Sequence, residues 1–181
     1  MVLLALGCGD AAGDGAQEGS SGATSEVEPG VYPGSEGPLI DLGAWEVATD
    51  DPFPDRPEDL DCSAGFGIED GLFEVDTGLC PNAAFVQPSG VPVRVGDEIE
   101  VIVLHDALYS EEEGTDAHIG IAIGDAIAWE TRIPIPAEPG FLRPKFASEV
   151  DAPRGTPVTL HIHNHGINSY RLLSATVFWA E

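Results

Sequence analysis

The chain runs to 181 residues and carries 32 Asp and Glu against seven Lys and Arg, a formal net charge of −25. A field of that sign repels phosphate backbones and anionic head groups, which excludes nucleic acid as a partner. No stretch approaches the roughly 18–20 apolar residues of a spanning helix, so anchoring to a membrane is lipidic or absent.

In chain order, the first element is a short apolar run, Leu3-Leu4-Ala5-Leu6-Gly7-Cys8. A run of this kind, ending in a small residue and a cysteine, resembles the lipobox of bacterial lipoproteins. The resemblance implies that residues 1–7 are a signal segment cut before Cys8 and that the Cys8 sulfur receives a diacylglycerol group. It also implies a protein lipid-anchored in the bacterial cell envelope, at the outer membrane or cell surface. Residues 1–7 are short beside the roughly 7–15-residue apolar core of an ordinary signal, so a longer signal beginning upstream of Met1 is expected. Residues 8–38 read as a flexible acidic tether: Tyr32 is their only aromatic, and they contain no Lys or Arg. Such a segment buries too little apolar surface to offset the entropy of ordering it.

Residues 39–181 are long enough for one domain with one core. Cys62 and Cys80 are the remaining cysteines, and in an exported chain such a pair is expected to bridge. Around them, residues 45–84 contain Asp50-Asp51-Pro52-Phe53-Pro54 and several glycines. This part reads as long loops pinned by the disulfide.

Beyond it the hydrophobic period is two. Strands are predicted at 91–95 and 98–105, joined by the Gly96-Asp97 turn. In the next strand, 117–124, Ile119, Ile121 and Ile123 face one way and His118, Gly120 and Ala122 the other. A short strand follows at 126–130. Pro134, Pro136 and Pro139 then argue for a loop or an edge. Strands at 145–150, 157–163 and 170–179 complete the series. No window carries a long amphipathic helix. The expected fold is all-β: a β-sandwich of about eight strands, jelly-roll-like, preceded by a disordered tether.

Two segments carry a resemblance to known proteins. Glu74-Val75-Asp76-Thr77-Gly78-Leu79-Cys80 and His161-Ile162-His163-Asn164-His165-Gly166 resemble stretches of a group of uncharacterised lipoproteins from myxobacteria and their relatives. That group brings no established activity. The closing strands are more distantly similar to galactose-binding-like jelly rolls, the fold of many carbohydrate-binding modules. This likeness implies a domain that binds a glycan.

The histidines are the sharpest chemical feature. His161, His163 and His165 alternate, so in a persisting strand they share one face. With His118 from a neighbouring strand, two of them would offer a three-imidazole site to zinc or copper. His105 ends another strand and is a weaker candidate. The cupin-like His-x-His pattern lacks its following Glu, with Ile167 and Asn168 near that place, and the hydrolase pattern His-x-His-x-Asp-His lacks its Asp. The alternative is hydrogen bonding across strands.

A glycan site needs an aromatic ring for the sugar face and planar polar groups for the hydroxyls. Trp129, Tyr109, Tyr170, Asn164, Asn168 and Arg171 are the candidates. Oxygen donors for a structural calcium are abundant, at Asp50, Asp51, Asp55, Asp59, Asp61, Asp76 and Glu111-Glu112-Glu113, but no EF-hand spacing appears. No Gly-x-Ser-x-Gly elbow, P-loop or dinucleotide fingerprint is present, and the sequence leans away from an enzyme. The expected function is binding of an extracellular ligand, foremost a glycan. The alternatives are a metal-binding protein using the histidine face and a non-catalytic scaffold that contacts envelope proteins.

Overall fold

The computed structural model describes residues 34–54 and 62–181. Cys8, the signal segment, most of the tether, and Asp55, Asp59 and Asp61 lie outside the described residues. Those described form a β-sandwich of two antiparallel sheets with no α-helix among them.

Twelve strands are present among the described residues, where about eight were expected. They are β1 (Glu36–Pro38), β2 (Glu46–Val47), β3 (Phe66–Glu69), β4 (Leu72–Asp76), β5 (Asn82–Pro88) and β6 (Glu98–His105). These are followed by β7 (Asp116–Ile123), β8 (Ala126–Pro134), β9 (Gly140–Leu142), β10 (Lys145–Ala147), β11 (Pro157–His163) and β12 (Ser169–Phe178). The five-stranded sheet runs β2-β5-β11-β7-β8. The seven-stranded sheet runs β10-β6-β12-β4-β3, with β1 also on β12 and β9 also on β6.

Period-two patterning explains the long strands. Ala117, Ile119, Ile121 and Ile123 of β7 enter the core, as do Val158, Leu160 and Ile162 of β11 and Ile99, Val101 and Val103 of β6. In β12 the buried positions switch from even, Tyr170 and Leu172, to odd, Ala175 and Val177. A bulge between Leu172 and Ser174 reconciles them: one extra residue restores the inward face. Phe66, Phe73 and Phe85 pack together at the centre, with ring centroids 4.9 and 5.0 Å apart.

Three local expectations are corrected. Residues 91–95 do not form a strand. Only Val93 pairs, with Ala152, because the chain spends its hydrogen bonds on the turn: Asp97 accepts from the Arg94 amide at 2.8 Å and from that of Ala180 at 3.0 Å. Residues 45–84 are more than loops, since they contain β2 to β4 and the start of β5. The β3–β4 hairpin turns on Asp70 and Gly71, both at positive φ (51° and 81°), as a two-residue hairpin turn requires. The boundary drawn at Leu39 also falls too late. Glu36–Pro38 pair with Thr176–Phe178, and Gly37 lies so close under Trp179 that a Cβ would stand 2.6 Å from the ring.

Cys62 and Cys80 are joined and buried, as expected. The bridge ties the chain ahead of β3 to the turn after β4. For a loop of 18 residues the chain-entropy model gives about 3 kcal/mol.

Candidate functional site

Two connections meet at one end of the sandwich: residues 106–115 between β6 and β7, and 164–168 between β11 and β12. Leu108 is fully buried and exchanges backbone hydrogen bonds with Ala137. With Leu108 turned in, the Tyr109 ring turns out and is 66% exposed. Its backbone is nevertheless held. The Asn168 side chain accepts from the Tyr109 amide at 2.8 Å and donates to the Tyr109 carbonyl at 3.2 Å, as a strand neighbour would.

Beneath this clamp Thr77 Oγ1 accepts from Asn164 Nδ2 at 2.9 Å and from the Asn168 amide at 3.0 Å. Its own proton is shared toward the carbonyls of Gly166 and Asn168. At Gly166 a Cβ would stand 1.8 Å from the Tyr109 carbonyl oxygen, so only glycine lets the two connections approach.

Between them lies a cleft of about 560 Å³, lined by Tyr109, Ser110, Glu111, Glu112, His165, Gly166 and Ile167. That volume falls in the roughly 300–1,000 Å³ range of small-ligand sites. Ile167, 81% exposed, forms an apolar flank. Glu112 stands 3.7 Å from the His165 imidazole, and its amide donates to Ser110 Oγ at 3.0 Å.

The six sequence candidates for ligand contact therefore separate. Tyr109 is presented. Asn168 and Asn164 are buried and serve as the clamp beneath it. Tyr170 is 1% exposed in the core, where burial pushes its phenol pKa well up, so its ring faces no ligand. Trp129 packs partly buried against the core. The Arg171 guanidinium is committed to Glu74 at 2.7 Å and to Asp106 at 3.2 Å, pairings that raise its pKa further. The sequence reading missed Ile167 as a flank and took Glu111 and Glu112 only as calcium donors. The available signal was an aromatic directly before a polar, glycine-terminated run, Ser110 to Gly114.

His118, His161 and His163 occupy the outer face of the five-stranded sheet. β7 and β11 are neighbours, with His163 opposite His118 and His161 opposite Gly120. His165 lies beyond the end of β11, yet its ring is 4.7 Å from that of His163. A strap of residues 49–53 covers part of this face. His161 Nδ1 is 2.7 Å from Asp51, Phe53 stacks on His161 at 4.5 Å and meets His118 edge-on at 5.5 Å. His118 Nε2 pairs with Glu130 at 2.8 Å. Among the described residues no three His, Cys, Asp or Glu side chains group to hold a metal ion. The calcium candidates in the strap are also engaged, Asp50 accepting from the Asp51 amide and Asp51 from that of Phe53. Asp76 likewise accepts from the Gly78 amide. His105 is buried, with Nδ1 2.8 Å from the Asp106 carbonyl.

No protein-family model and no curated protein matches the chain. Among solved structures it is similar to the second N-terminal cellulose-binding domain of Cellulomonas fimi β-1,4-glucanase C (19% identity, 81% of this chain and 97% of that one, TM-score 0.46). It is also similar to a CBM4 structure (11% identity, 65% and 90% of the two chains, TM-score 0.45). A third is TmCBM61 in complex with β-1,4-galactotriose (12% identity, 60% and 70%, TM-score 0.32). Likenesses this distant carry no argument about this chain.

Proposed function

We propose that this domain binds an extracellular glycan in the cleft between Tyr109 and Ile167, as a lipid-anchored lipoprotein of the bacterial cell envelope. The observation that carries the glycan reading is the Tyr109 ring, two-thirds exposed over a cleft while its backbone is clamped on both sides. A ring carried on a held backbone offers its apolar face to the C–H face of a pyranose, with the backbone beneath it already ordered. Ser110, Glu111, Glu112 and His165 supply the polar rim that sugar hydroxyls need. Binding is favoured over glycoside hydrolysis, because Glu111 and Glu112 are consecutive on one connection. Hydrolytic carboxylates instead flank the scissile bond from two sides.

The test is calorimetric titration of the Cys8→Ser chain with oligosaccharides, in parallel with its Tyr109→Ala variant. Loss of a central aromatic should weaken binding by about tenfold or more; equal affinity in the two proteins sinks this assignment. The anchor reading is supported by the Leu6-Gly7-Cys8 run and the acidic tether after it. Expressed in a bacterial host behind a full signal, the chain should fractionate with membranes and its Cys8→Ser variant should not. A soluble wild-type chain with unmodified mass contradicts the anchor.

A further inference from the structure

We infer that the Tyr109 cleft selects glycans with free amino groups, glucosamine-type units whose ammonium is taken by Glu111 and Glu112. The inference rests on the glycan reading above and adds the class of sugar. The cleft and its exposed ring make the site; the carboxylates set the charge of what enters. Among the described residues no Lys or Arg lines the cleft, and beside the carboxylates it holds the His165 imidazole and the Tyr109 phenol.

The wider chain adds to that sign rather than opposing it. Its net charge is −25, and four of its few cations are engaged elsewhere. Arg132 pairs with Asp116, Arg143 and Lys145 with Glu100, and Arg171 with Glu74 and Asp106. An anionic uronate would therefore meet repulsion from two carboxylates, with only the His165 imidazole beside Glu112 to offset it. A neutral sugar can donate hydroxyl hydrogen bonds to them. An ammonium does the same and gains charge attraction.

The ring favours the same ligand. The face of a tyrosine carries negative quadrupole density, which attracts a nearby ammonium as well as polarised C–H groups. The backbone that carries the carboxylates is also turned locally beside that ring. Their connection is turned by the Glu112 amide on Ser110 Oγ at 3.0 Å and by Thr115 Oγ1 on the Glu112 carbonyl at 3.4 Å. A cationic peptide could use the same carboxylates, but it has no flat apolar ring face to lay against Tyr109 and Ile167. The two apolar flanks favour the sugar.

The experiment titrates the full chain carrying Cys8→Ser, at neutral pH and low salt, with four probes. These are glucosamine trisaccharide, its fully N-acetylated counterpart, cellotriose and trilysine. The amino sugar should bind roughly fivefold tighter than the two neutral sugars, the scale of a partly exposed ion pair. That margin should vanish in the Glu111→Gln/Glu112→Gln variant and shrink in concentrated salt. Tyr109→Ala should weaken all three sugars. Equal affinity for the three sugars, all lost with Tyr109→Ala, overturns the amino-sugar inference and leaves the glycan reading standing. A margin that survives the double Gln variant assigns it to the diffuse acidic surface and also overturns the inference. Trilysine binding as tightly as the amino sugar, indifferent to Tyr109→Ala, makes the site a cationic-peptide site instead. No saccharide binding at all removes both readings.

Discussion

Replacing Phe53 by alanine should destabilise the domain by about 3–5 kcal/mol, the usual cost of emptying a buried phenylalanine site. Its ring is 2% exposed although it sits on the outer face of a sheet, because the strap folds back over that face. The site is shaped for it. A Cβ at Gly120 would stand 2.3 Å from the Phe53 ring, so the absent side chain in β7 is what lets the ring lie flat. The ring also shields the Asp51–His161 pair, whose side chains are 1% and 2% exposed. Without it, water reaches a buried hydrogen bond whose strength depends on exclusion from solvent.

In a domain of this size the expected fall in Tm is on the order of 10 °C. Phe53→Leu should recover most of it, and Gly120→Ala should reproduce part of it by displacing the ring. Thermal and urea unfolding of the three variants check this. A Phe53→Ala protein within about 0.5 kcal/mol of wild type, the range of ordinary surface substitutions, would show that the strap is not part of the packed structure.

Gly166→Ala should abolish ligand binding while costing only about 1–3 kcal/mol of stability. The predicted overlap is with backbone: 1.8 Å to the Tyr109 carbonyl oxygen and 3.0 Å to its carbonyl carbon. Neither atom can rotate away as a flexible side chain would. The two connections must part, and the Asn168 clamp on Tyr109 opens with them. The cleft walls then separate, although the sheets beneath are untouched. Saccharide affinity in this variant should fall at least as far as in Tyr109→Ala, with far-ultraviolet circular dichroism unchanged. Retained affinity would show that the cleft does not depend on this close approach.

Much of the sandwich was legible because alternation is a local signal. β6 and β11 fall on the predicted residues, and the inward and outward faces of β7 are those read from Ile119, Ile121 and Ile123. The even-to-odd switch of buried residues in β12 was present in the sequence as a change of phase, which a bulge resolves. The short strands between Trp45 and Ala84 were missed because two to five residues give too few alternations to register, although Asp70-Gly71 marked the hairpin.

The site was harder to read for a different reason. An Asn amide that grips a sugar and one that clamps a backbone use the same atoms, so Asn164 and Asn168 could not be told apart from ligand contacts by residue type. Asp51 and His161 are 110 positions apart. Nothing local in Asp50-Asp51-Pro52-Phe53 distinguishes a strap from a free loop.

The most direct test of the central claim is a titration of the isotopically labelled chain with glucosamine trisaccharide, followed residue by residue through amide chemical shifts. Saturable shifts confined to residues 109–112 and 165–168 are the predicted result. Saturable shifts centred instead on the strap and the outer face of the five-stranded sheet, or no shifts at all, would contradict it.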